Sequence, residues 1–165
     1  VVSGAYPVFQ YRQTRAFFQG VDLDAHIRPI SALDYHLVSA MIWARELPSH
    51  TYLPYIPSFR LTQSLTWKLP VWKALQPKIS LNHRFVAKQT RFNPATDLIP
   101  FTPAAYHLMG FEASLSVPMR EGMSLRMSLM GDNILNHEYK EYTNRSRYYA
   151  HDMGRDVRCM ITWNF

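Results

Sequence analysis

The chain has 165 residues, 47% of them hydrophobic, with a formal charge of +6 and one cysteine. A single thiol excludes an internal disulfide and a Cys-based zinc site, and no stretch approaches the ~18 consecutive apolar residues of a membrane helix. The Lys and Arg are scattered over all segments rather than gathered into a stripe, so no nucleic-acid partner is expected.

Helical spacing is not evident, and eleven prolines are spread throughout. The recurrent pattern is period-2 alternation, which predicts seven strands. The first covers about Ala16 to Arg28, with Phe17, Val21, Leu23 and Ile27 opposing Asp22, Asp24, His26 and Arg28. A short turn, Pro29 to Ala32, leads to the second, Asp34 to Ala44. It carries Tyr35, Leu37, Met41 and Trp43 on one face, and its other face is not clearly polar. A longer connection precedes the third strand, Phe59 to Leu69, where Leu61, Leu65 and Trp67 oppose Arg60, Thr62, Ser64 and Lys68. The fourth is Pro77 to Ala87 and the fifth Tyr106 to Val117, separated by a long polar loop. The sixth, Met123 to Gly131, follows a short turn at Pro118 to Gly122; the seventh, Arg155 to Phe165, follows a long segment.

The connections therefore alternate short and long. Outer-membrane barrels combine short periplasmic turns with long extracellular loops, and strands of about 10 residues suit a tilted bilayer crossing better than a soluble sheet. The fold class expected is all-β, an antiparallel transmembrane β-barrel segment with an apolar face toward lipid and a polar face toward a wet lumen. Tyr35, Trp43, Phe59, Trp67, Trp72, Phe85, Tyr106, Trp163 and Phe165 lie near strand ends, as interfacial girdles would. Two other architectures stay open: a complete eight-stranded barrel of structural or adhesive role, with Tyr6 to Arg12 as its extra strand, and a soluble β-sandwich binding module.

The last strand resembles the terminal recognition signal of outer-membrane barrels: Val157, Cys159, Ile161, Trp163 and a final Phe165. That resemblance implies the barrel assembly machinery as a partner, reading the strand by edge addition. Further back, Gly131-Asp132-Asn133-Ile134-Leu135-Asn136 with Tyr139 is similar to the Asn-Leu-Phe-Asn-x-x-Tyr pattern near the end of TonB-dependent receptors. Asn144 to Ala150 and Met153-Gly154-Arg155 resemble their last extracellular loop in Bacteroidetes-like bacteria. Leu53-Pro54-Tyr55-Ile56-Pro57 before Arg60, and Ala16 to Leu23 with Gly20, match earlier strand entries, although Asp22 stands where that family usually has Glu.

The resemblance implies that residues 1–165 are the C-terminal part of a barrel of about 22 strands plugged by an N-terminal domain. Plug and TonB box are not in this chain. The implied function is uptake of a scarce extracellular ligand with TonB-derived energy, in the bacterial outer membrane. The implied partners are outer-membrane lipid, the rest of the parent receptor or a partner chain, and TonB through the missing part.

Ligand contacts in such receptors come from loops and lumen walls. The candidates are Tyr139, Tyr142, Arg145, Arg147, Tyr148, Tyr149 and His151, with His50, Tyr52, Tyr55, Arg91 and Phe92 in earlier loops; Tyr and Arg combine contact area with directional hydrogen bonds. No cofactor is expected. No spacing resembles a zinc motif, so no metal is expected either, His137-Glu138 and His151-Asp152 being the nearest approach. Ser146, His151 and Asp156 lack a nucleophile elbow, and no enzyme is expected.

Overall fold

The structure is a computed structural model, and it describes residues 13–165 apart from 48, 98, 120 and 121. Tyr6 to Arg12, the segment an eighth strand would draw on, lies outside the described residues. The strands are β1 (Ala16–Ile30), β2 (Leu33–Glu46), β3 (Arg60–Lys68), β4 (Gln76–Val86), β5 (Tyr106–Pro118), β6 (Ser124–Asp132) and β7 (Asp156–Asn164). They form one antiparallel sheet in sequence order, each pairing with its chain neighbours.

The register explains why one alternation runs through the whole chain. Val21 faces Met41, Tyr35 faces Leu65, Leu65 faces Leu81, Leu81 faces Phe111, Ala113 faces Leu129 and Leu129 faces Cys159. Apart from Ile30 opposite Leu33, beyond an irregularity at the end of β1, odd-numbered residues stand opposite odd-numbered residues in every ladder. Side chains alternate faces along a strand, so up to that irregularity one face of the sheet carries the odd positions and the other the even ones. The odd face is apolar and bare: Val21, Leu81, Ile161 (72% exposed) and Trp163 (63%) are open on it. The even face holds Asp22, Asp24, Arg60, Arg84, Glu112, Arg126, Asp132 and Arg158.

The connections also sort by end. The hairpins at 31–32, 69–75 and 119–123 share one end, and the long segments 47–59, 87–105 and 133–155 share the other. In the second hairpin, Trp72 and Leu75 exchange backbone hydrogen bonds around Lys73 (φ 47°) and Ala74 (φ 68°). Two positive φ values in a two-residue loop make a primed turn, whose twist matches the strands.

β1 continues two residues past the expected end at Arg28. A register irregularity between Ile27 and Ile30 accommodates Pro29, which has no N–H for the ladder. Close approach matters at Gly110, where a Cβ would stand 2.8 Å from the Gly131 carbonyl oxygen at the point where β5 and β6 begin to pair. One expected girdle member is corrected. Tyr106 is an even residue, so it points to the polar face and is buried there under the last long loop.

Across β2 to β5 the apolar face contains a polar inlay. Tyr35 Oη donates to Gln63 Oε1 at 2.6 Å, Gln63 Nε2 meets His83 Nδ1 at 3.0 Å, and His83 Nε2 meets His107 Nδ1 at 3.0 Å. An amide nitrogen only donates. His83 Nδ1 must therefore accept, and its Nε2–H donates in turn to His107. Four strands are thus joined by one directional chain.

Candidate ligand-binding recess

The three long connections gather at one end of the sheet, and the last of them folds over the polar face there. Val86, Tyr106 and Leu108 form a small buried cluster there, and Tyr139 packs against it. The Tyr106 and Tyr139 rings lie 4.6 Å apart. Glu141 fixes the loop to the wall through both carboxylate oxygens: Arg60 of β3 donates to Oε1 at 2.6 Å and Tyr106 of β5 donates to Oε2 at 2.6 Å.

The loop leaves β6 through a turn built by two asparagines with positive φ, Asn133 (46°) and Asn136 (51°). Asparagine tolerates that region because its side chain hydrogen-bonds its own backbone neighbourhood. Asn133 Oδ1 accepts from the His137 N–H and its Nδ2 donates to the His137 carbonyl, both at 2.9 Å. Asn136 Oδ1 accepts from the Arg155 N–H at 2.9 Å, and a Cβ on Gly154 would crowd that same oxygen. Farther along, Asp152 accepts from the Glu141 N–H and from Asn144 Nδ2, each at 2.7 Å.

A second cluster joins the loops to one another. Arg147 and Asp97 are paired at 2.5 Å with both side chains only 1% exposed. Arg147 also donates to the Tyr142 carbonyl, and its guanidinium lies 4.5 Å from the Tyr142 ring and 4.7 Å from that of Tyr148. Tyr148 donates to Asp97 and shares a 2.9 Å hydrogen bond with Tyr55. Loop 87–105 is tied to loop 47–59 by Gln89, which donates to the Ile56 carbonyl at 2.7 Å. Burial pushes the phenols of Tyr139, Tyr142 and Tyr148 above their ordinary range, and the Asp97 hydrogen bond adds to this at Tyr148.

Between wall and loop lies a recess of about 230 Å³. Thr62, Asn82, Arg84, Leu108, Gly110 and Asp132 line it from the strands, and Asn133, Tyr139, Met153 and Gly154 from the loop. Its lining offers a cation, a carboxylate, amides and a phenol around a modest apolar patch, which suits a polar small molecule. No group of three or more metal-ligating side chains occurs among the described residues.

The expected contact residues divide. Tyr139 lines the recess. Tyr142 and Arg147 are buried as supports between loops and do not face it. Arg145 and Tyr148 sit in the same cluster, Arg145 exposed over the Tyr55 ring at 5.3 Å. Tyr149 (75% exposed) and His151 are open at the loop surface, as is His50. Tyr52 and Arg91 stack on Arg45 and Trp43, and Phe92 is half-buried. Sequence reading missed Glu141 and Asp97 and named Asp152 only beside His151 as an approach to a metal site; all three hold the loops in place. It also did not single out Thr62, Asn82 and Arg84, although their alternate polar positions on β3 and β4 were a usable signal. The terminal signal residues Val157, Cys159, Ile161 and Trp163 all lie on the apolar face of β7.

No protein-family model matches the chain, and no curated protein matches it. Among solved structures, the copper transporter OprC is similar, with a TM-score of 0.72 at 17% identity over 87% of this chain. The chain spans 23% of the length of that protein. At this identity the likeness bears on fold alone, and the fold is all-β: seven antiparallel strands forming a stretch of barrel wall.

Proposed function

We propose that the chain forms seven strands of a larger bacterial outer-membrane barrel, and that this barrel is a TonB-dependent uptake receptor. One observation carries the reading: the apolar face of the sheet is exposed along its strands, whereas the last long connection folds over the polar face and closes a recess against it. In a bilayer the odd face would meet acyl chains and the even face a wet lumen, as wide barrels require. An edge strand cannot stay unpaired in lipid, and among the described residues β1 and β7 each pair on one side only. The remaining strands then come from the parent receptor or a partner chain, and TonB acts through the N-terminal part. The assembly machinery would read Val157 to Phe165, and the role is transport rather than catalysis.

The recess beneath Tyr139 is the ligand contact this chain contributes, with Tyr149, Arg145 and His151 at the loop surface above it. Copper belongs to the structural neighbour, and no metal cluster among the described residues carries it over. The test is the intact mass of the native protein extracted from its outer membrane. A species several times heavier than 19.3 kDa, bearing a plug and a TonB-contacting segment, is expected. A native species of 19.3 kDa without a companion chain would refute the receptor reading and favour a small closed barrel.

A further inference from the structure

Arg60, Arg84, Arg126 and Arg158 stand on the polar face of the sheet, and three of them meet a carboxylate. Arg60 meets Glu141, Arg126 meets Glu112, and Arg158 meets both Asp132 and Asp156. Arg84 of β4 meets none among the described residues, and it lines the recess. Its charge reaches the Tyr139 phenol, where it opposes the rise that burial causes. Thr62 stands opposite Arg84 on β3, and Asn82 precedes it by two residues on the same face. The Thr62 hydroxyl, the Asn82 amide and the Tyr139 hydroxyl all lack a hydrogen-bond partner among the described residues. Asp132 completes the lining. Its Oδ2 is held by Arg158, and its Oδ1 lies 3.5 Å from where a Cβ on Gly110 would stand. That absent Cβ would also be 3.7 Å from Asn82 Cβ, so glycine keeps the floor open between the two side chains.

A guanidinium without a carboxylate is a seat for an anion, and its fork of N–H groups matches a carboxylate bidentately. Asp132 sets the rest of the chemistry. Its charge repels a doubly charged phosphate more than a singly charged carboxylate, whereas a ligand hydroxyl can donate to its Oδ1. The volume of about 230 Å³ is below the ~300–1,000 Å³ of drug-sized sites, so the recess encloses a small unit such as one monosaccharide. We propose that the recess seats a sugar acid, with its carboxylate on Arg84 and its hydroxyls on Asp132 Oδ1, Asn82, Thr62 and Tyr139. This deepens the assignment of the recess as a ligand contact and rests on it. A free sugar acid and the end of an acidic oligosaccharide share this chemistry.

The experiment titrates the full-length receptor in detergent with D-glucuronate, its neutral amide D-glucuronamide, and glucose 6-phosphate, read by ligand-observed NMR. We expect about tenfold preference for glucuronate over the amide, with glucose 6-phosphate weaker than glucuronate. Arg84→Gln should abolish the preference, and Arg84→Lys should keep only part of it, because an ammonium lacks the fork. Arg126→Gln, a polar-face control outside the recess, should leave it unchanged, and a heat-modifiable gel mobility verifies that each variant is folded. A glucuronate disaccharide separates the two sources: tighter binding than the monosaccharide assigns the chain end, and equal or weaker binding assigns the free sugar acid. No preference in the unmodified receptor, a preference that survives Arg84→Gln, or stronger binding of glucose 6-phosphate would overturn the carboxylate seat. If Tyr139→Ala then still weakens the binding of the amide, the recess stands as a contact for an uncharged ligand. Probes that do not bind, or that bind unaffected by both Arg84→Gln and Tyr139→Ala, would remove the recess assignment as well.

Discussion

Replacing Arg147 by Met should undock the last loop while leaving the sheet intact. The substitution keeps most of the aliphatic volume packed among Tyr55, Tyr142 and Tyr148 but removes the charge. Asp97, with its side chain 1% exposed, would keep only the Tyr148 hydroxyl as a described hydrogen-bond partner. Breaking a buried ion pair from one side costs about 3–5 kcal/mol. At about 1.4 kcal/mol per tenfold, that raises the opening of the loop cluster by roughly a hundred-fold or more. The cost is local, because no strand ladder uses either residue. Hydrogen exchange in the full-length protein reads it directly. The amides of Tyr149, Ala150 and Asp152, which donate to Ser146, Ser146 and Tyr139 carbonyls, should lose protection, while those of β5 and β6 should not. Asp97→Leu added to Arg147→Met removes the stranded charge and should restore most of the protection. A loss below about tenfold in the single variant, or a double variant as open as the single, would refute the argument that the buried pair holds the loops.

Lys73→Asn with Ala74→Gly should stabilise the β3–β4 hairpin by about 1–2 kcal/mol, because both positions have positive φ and neither native residue favours it; denaturant unfolding in detergent would show it. A nitroxide on Cys159, which is exposed on the apolar face, should relax faster with dissolved oxygen than with a water-soluble nickel chelate, and the reverse order would place that face in water. The docked loops should loosen at high pH. The Tyr148 phenol is raised in the folded state from an ordinary 10.0, so above that value the opened loop releases a proton that the docked loop retains. Docking is then fully present below about pH 10 and weakens above it, and phenolate absorbance with loop proteolysis would follow the change. Tyr148→Phe should flatten that pH dependence.

The strands were legible because a sheet with two chemically different faces imposes a strict period of two. The ends of β3 to β7 fall within one residue of the sequence expectation. β2 was ambiguous in isolation, since His36, Val38, Ala40 and Ile42 are not uniformly polar. Only its register with Leu65 and Gln63 assigns Tyr35 and Leu37 to the apolar face. β1 was read short because Pro29 has no ladder donor, and the irregularity that absorbs it leaves no sequence mark. The turn at Asn133 and Asn136 was readable from residue chemistry alone. The loop cluster was not. Arg147 and Asp97 are 50 residues apart and Tyr55 and Tyr148 are 93 apart, and no periodicity connects such positions. Loop arginines and tyrosines were therefore read as ligand contacts, although burial makes Arg147 and Tyr142 supports.

The chain from Tyr35 through Gln63 and His83 to His107 bears on how the strands find one another. A flat apolar surface has little to say about sliding: Leu against Leu is nearly as good two residues up or down. Four polar groups embedded in that surface are less forgiving. Slide β4 by two residues against β3 and Gln63 faces Leu81 or Phe85, with its amide unmatched in apolar surroundings at a cost of several kcal/mol. Slide by one and the whole strand shows the wrong face. The inlay therefore acts as a combination lock on alignment, closing only when β2, β3, β4 and β5 all stand in step.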